Sequence, residues 1–157
     1  MAADNDLIKA ASKGDLPAVE KAIAEGASIE ARSKDEKLSP LMNAAMLGHL
    51  IVVRFLVSKG ADIESHDSAN YTPLMQAAFR GHLDVVKFLT DKGANINARS
   101  QAGWTPLMAA ASEGHVEVVK YLLSRGGNPL TKNSNKQTAA EIAKTNGFTE
   151  VAKLIRN

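Results

Sequence analysis

Apolar residues along this chain fall into short helical stripes rather than alternating strands. Leu74, Ala77 and Ala78 stand at i, i+3 and i+4, and Val85, Val86 and Leu89, at i, i+1 and i+4, form a second stripe a few residues on. Each stripe is framed by punctuation. Thr72 suits an N-cap, its hydroxyl accepting from an orphan amide, and Pro73 suits the first helical position, where no donor is missed. Gly81 supplies a left-handed C′ residue that ends the first helix. Asp84 opens the second near its positive end, and Lys92-Gly93 closes it with a cation and another C′ glycine. With a two-residue break between the helices, the stripes face each other as an antiparallel helix pair. After Gly93, Ala94-Asn95-Ile96-Asn97-Ala98-Arg99 reads as extended chain, and Ser100-Gln101-Ala102-Gly103 as a turn.

This unit recurs. Ser39-Pro40-Leu41-Met42, Thr72-Pro73-Leu74-Met75 and Thr105-Pro106-Leu107-Met108 start 33 residues apart, as do Gly48-His49, Gly81-His82 and Gly114-His115. Degenerate copies flank them at Leu7-Ile8-Lys9-Ala10-Ala11 with Gly14 and at Thr138-Ala139-Ala140 with Gly147. A fixed period of this length is the signature of a solenoid. The string Thr-Pro-Leu, Ala-Ala, Gly-His, Val-Val, Leu, Gly-Ala-Asn-Ile-Asn-Ala, Gly-Trp-Thr-Pro-Leu resembles the ankyrin repeat over essentially the whole chain. The resemblance implies an all-α solenoid of antiparallel helix pairs joined by β-hairpin-like turns. One departure is regular: Met42, Met75 and Met108 stand where ankyrin repeats usually carry a His that adds a bond within the turn.

The repeats are expected at about 5–37, 38–70, 71–103, 104–136 and 137–157, together one domain of residues 1–157. Lys21 and Ala22 in the first repeat replace larger apolar residues, as a terminal cap requires. Glu141 and Lys144 put charge on the far side of the last, so the sequence reads as complete and self-capped. The first linker is one residue longer than the second, inside the charged turn Lys34-Asp35-Glu36-Lys37, where extra length costs little.

Composition changes this picture mainly by exclusion. Net charge is +2 with 23% charged residues, too small a surplus for a nucleic-acid footprint. There is no cysteine, which removes disulfides, thiolate metal sites and a Cys nucleophile. No basic and apolar leader is visible at the N-terminus and no apolar run approaches a membrane span, so an intracellular location, cytoplasmic or nuclear, is expected. His49, His82 and His115 share one repeat column. Packed helices lie about 8–10 Å apart, whereas each imidazole must sit about 2 Å from a zinc ion. The column therefore reads as capping or packing. His66 stands alone in a turn. Glycines are spaced as helix stops and form no phosphate loop, and Asp84 and Glu117 are explained by helix dipoles. Nothing catalytic is expected, and no cofactor or metal.

By the family resemblance, the turn tips and the exposed side of each first helix form a concave face that binds other proteins. In this chain those columns bring Leu38, Met46, Leu47, Tyr71, Phe79 and Trp104 onto one surface, an apolar strip on the order of 20 Å long for rows about 10 Å apart. His66, Arg80, Arg99 and Lys132 rim it, with Ser112 and Glu113 continuing the row. Aromatic anchors ringed by polar groups and arginine are the composition of an interface hot spot. The competing expectation is that Tyr71, Trp104 and Phe79 pack against neighbouring turns. Phe55, Phe88 and Tyr121, on second helices, are expected between repeats. The sequence thus points to a non-catalytic protein-interaction module (adaptor, scaffold or stoichiometric inhibitor), monomeric in isolation. The alternative is a strip that stacks the bases of a single-stranded oligonucleotide or holds another small ligand.

Overall fold

The computed structural model describes residues 2–156. Among them are ten α-helices and no strand. They form five antiparallel pairs: α1 (Ala2–Lys13) with α2 (Leu16–Ala24), α3 (Pro40–Met46) with α4 (Leu50–Ser58), α5 (Pro73–Arg80) with α6 (Leu83–Asp91), α7 (Pro106–Ser112) with α8 (Val116–Ser124), and α9 (Ala139–Thr145) with α10 (Thr149–Arg156). The pairs stack in chain order, each on its neighbour.

Local chemistry sets the helix starts. The hydroxyls of Ser39, Thr72 and Thr105 accept from the amides of Met42, Met75 and Met108 at 3.1, 3.3 and 3.2 Å. Each is followed by proline, which pushes the residue before it into extended backbone. The first helix lacks that stop and begins at Ala2, earlier than the expected repeat boundary. The methionines that replace the usual His are buried, so their unbranched side chains fill the core at the third helical position.

Residue size decides how the pairs stack. First helices meet through small side chains: Ala44, Ala45, Ala77, Ala78, Ala110 and Ala111 are all fully buried. Second helices carry Val52, Val53, Leu56, Val85, Val86, Leu89, Val118, Val119 and Leu122. Alanine lets the first helices approach more closely than the second ones, so the first-helix side of the stack is the inner side. Phe55, Phe88 and Tyr121 pack between repeats at half burial. Arg54 lies over the Phe88 ring at 5.4 Å, and Tyr121 is hydrogen-bonded to Thr90 of the preceding repeat at 2.7 Å.

Polar ladders run from repeat to repeat along the same stack. The amides of Ser68, Gln101 and Ser134 donate to the carbonyls of Glu36, Ala69 and Ala102 at 3.1, 2.9 and 2.9 Å, tying the turn tips together. Lower down, Glu30, Glu64 and Asn97 side chains accept from the amides of Asp62, Asn95 and Asn128 at 2.7, 2.9 and 2.9 Å. The histidine column forms a third ladder. His49, His82 and His115 occupy N-cap positions without capping through their side chains. Their Nε2 atoms instead reach the carbonyls of Ser12, Met46 and Phe79 at 3.0, 3.0 and 2.9 Å. Asn146 continues the row on the Ser112 carbonyl at 2.9 Å.

The imidazoles lie over glycine. A Cβ at Gly48 would stand 2.6 Å from His82 Nδ1, and one at Gly81 the same distance from His115 Nδ1. Those glycines also sit at φ 76 and 78, where a side chain is strained. Gly-His is therefore one structural unit split between neighbouring repeats.

Candidate functional site

The inner face is built by α3, α5 and α7 and the turns that precede them. Every turn uses the same device. Its first residue (Ser33, Asp67, Ser100 or Asn133) donates its amide to the carbonyl of Leu38, Tyr71, Trp104 or Gln137 respectively. The side chain of that first residue accepts in return from the amide of the same partner, at 2.9, 2.9, 3.1 and 3.0 Å. This double bond pattern places Leu38, Tyr71, Trp104 and Gln137 at equivalent positions above their helices.

Their fates differ. Tyr71 and Trp104 are half-buried, with Trp104 packed against the core. Leu38 is 7% exposed and lies beneath the surface. Met46 is half-buried, while Leu47 and Phe79 are 37% and 41% exposed. Arg80, Glu113, His66 and Arg99 are exposed. Ser112 is buried, its hydroxyl donating to the Ala109 carbonyl at 2.8 Å.

The rim residues are of two kinds. The Arg99 guanidinium donates to the Lys132 carbonyl at 2.7 Å, and Arg32, in the same column two repeats earlier, donates to the His66 carbonyl at the same distance. These arginines fasten successive turns. Arg80 makes no ion pair or side-chain hydrogen bond among the described residues, so its charge stays directed to solvent.

Tyr71, Phe79 and Trp104 are brought together around a groove of about 240 Å³, with Met75 and Gln76 completing its wall. The last two were absent from the expected set. Their signal was periodic: Gln76 is three residues before Phe79 and four before Arg80, on one helix face. Gln76 Nε2 donates to Asp67 Oδ2 at 3.1 Å, so the turn and the helix share one polar contact at the groove.

On the outer side, Arg54, Phe55, Phe88 and Lys92 border a shallower depression of about 560 Å³. Among the described residues no group of three or more His, Asp or Glu is arranged to hold a metal ion. No helix there is long and apolar enough to cross a membrane.

Five stacked helix pairs, repeating about every 33 residues, define a helical-repeat solenoid. A family model described as ankyrin repeats (three copies) matches residues 7–100 and again 97–157. The chain belongs to the ankyrin-repeat family. That family is typically non-enzymatic, and its members generally serve as protein–protein interaction modules. Over 61 residues, 38% of the chain, the sequence is 44% identical to the human Arf-GAP with coiled-coil, ANK repeat and PH domain-containing protein 3. The match spans 7% of that much longer protein.

Proposed function

We propose that the chain is a non-catalytic protein-binding module, an adaptor or stoichiometric inhibitor, that takes its partner on the inner face of α3, α5 and α7. The five repeats act as one unit of residues 1–157, which presents this surface within the cell. The observation that carries the reading is the groove between Tyr71, Phe79 and Trp104, with exposed Arg80 next to Phe79 in the chain and exposed Leu47 at the end of α3. Scattered exposed leucines are normal on a protein surface, whereas a contiguous aromatic patch with a cationic edge is the composition of a binding hot spot. An inner face of this kind offers about 800 Å² to a partner, the standard interface size.

Leu47 and Phe79 carry the interaction at the centre, and Arg80, Glu113 and His66 sit at its edge. Leu38 and Ser112 support the face from beneath, and Arg99 holds the turns that frame it. The experiment is affinity capture from the source cell, comparing the wild-type chain with the Leu47→Glu/Phe79→Ala variant. A protein captured stoichiometrically by the wild type and lost from the variant, with far-UV helicity unchanged, supports the reading. Equal capture by both overturns it. Oligonucleotide binding is the competing reading, and it gains little from a strip whose Arg99 is engaged with a carbonyl. A salt titration of any affinity separates the two, because phosphate contacts weaken steeply with salt.

A further inference from the structure

The groove wall carries a polarity that burial and hydrogen bonding fix. Asp67 is 8% exposed, and its Oδ1 accepts from the amides of Ala69 and Tyr71 at 2.9 Å each. Its Oδ2 receives the Gln76 side chain at 3.1 Å. A carboxylate only accepts, so the Gln76 amide nitrogen must face Asp67 and the oxygen must turn away. Among the described residues Gln76 Oε1 receives no hydrogen bond, and Gln76 lines the groove. An acceptor of fixed orientation thus stands in an otherwise aromatic and thioether wall of Tyr71, Phe79, Trp104 and Met75. One helical turn on, Arg80 offers an unpaired positive charge on the same face. The Tyr71 hydroxyl and the Trp104 indole N–H also make no bond among the described residues.

We infer that the groove receives an indole-bearing side chain from a partner peptide, its N–H donated to Gln76 Oε1, followed by acidic residues that meet Arg80. The inference rests on the inner-face reading and names the chemistry of its partner. An aromatic body fills the apolar part of the groove, and its donor satisfies an acceptor that would otherwise lose water on binding. A phenyl ring of similar bulk leaves that acceptor buried and unpaired. An acidic flank complements Arg80, with the edge donors available to its carboxylates.

The test is an amide and side-chain NMR titration of the intact chain with three blocked peptides: acetyl-Trp-Glu-Glu-amide, acetyl-Phe-Glu-Glu-amide and acetyl-Trp-Lys-Lys-amide. The expected result is shift changes concentrated at Tyr71, Met75, Gln76, Phe79, Arg80 and Trp104, with the Trp-Glu-Glu peptide bound about tenfold more tightly than the Phe peptide. Gln76→Met should erase that preference while both peptides still bind. Arg80→Ala, an exposed change at the last turn of α5, should remove the preference for glutamate over lysine while far-UV helicity stays near that of the wild type. Equal binding of the Trp and Phe peptides at these resonances overturns the inference and leaves the inner-face reading standing. The absence of any shift there with all three peptides, while a captured partner still moves those resonances, overturns the inference as well. If neither peptide nor captured partner moves them, the inner-face reading falls with it.

Discussion

Gly81 and Gly93 separate two costs that glycine usually carries together. Both have positive φ, 78 and 93. A Cβ on Gly93 meets nothing within 4 Å, whereas one on Gly81 would stand 2.6 Å from His115 Nδ1. Gly93→Ala should therefore cost about 1 kcal/mol, the left-handed backbone penalty. Gly81→Ala should cost about 1–2 kcal/mol more, because the imidazole must leave its hydrogen bond to Phe79. Urea denaturation of the two variants measures the difference, and adding His115→Ala to each gives a double-mutant cycle. Equal losses would show that the imidazole moves aside freely. Lys136 is the reverse case, a side chain at φ 62 where the equivalent position of the preceding repeat has Gly103. Lys136→Gly should raise stability by about 0.5–1 kcal/mol, read as a higher urea midpoint at unchanged slope.

The start of α9 rests on an ionisable side chain that reaches back to the cap. The Thr138 amide donates to Glu141 Oε1 at 3.0 Å, and the Thr138 hydroxyl donates to the same oxygen at 3.1 Å. The Glu141 amide returns a bond to that hydroxyl, closing a capping box. These bonds, the backbone one foremost, hold the Glu141 carboxyl below its ordinary range. A carboxyl depressed in the folded state contributes stability that is complete above the unfolded value and is lost as pH falls through the folded one. Helicity of the last pair should thus decline on acidification below the usual glutamate range. Glu141→Ala should be less stable at neutral pH and lack this part of the pH dependence, as thermal melts across an acid series would show. α3, α5 and α7 start from a neutral hydroxyl and a proline, so their starts should be insensitive over the same range.

The molecule as a stack makes a different kind of prediction, because each pair touches its neighbours and little else. Removing residues 138–157 would uncover Ala110, Ala111, Val119 and Leu122 of the fourth pair, all buried now. Amide exchange should then accelerate most in α7 and α8 and progressively less toward α1, the behaviour of a one-dimensional array. A uniform loss of protection through all remaining helices would show instead that the stack opens as a single cooperative block.

The repeat period, the helix pairs, the caps and the family were legible in the chain because each depends on residues close in sequence. Thr72-Pro73 starts a helix wherever it occurs, and Gly81 ends one through its own backbone freedom. The inner face was legible as a set of columns: Tyr71, Phe79 and Trp104 do meet around one groove. What periodicity could not supply was depth. Leu38 and Trp104 occupy the same column, yet one sinks under the surface and the other frames a groove, because side-chain volume and the neighbouring repeat decide exposure. The histidine ladder was hidden for the same reason, since each bond joins atoms about one repeat apart whose meeting requires the stack. So was the orientation of Gln76, which depends on a buried carboxylate in the turn before it. Local backbone preference therefore settled the elements and their order, and only packing of one repeat on the next settled which side chains remain free to meet a partner.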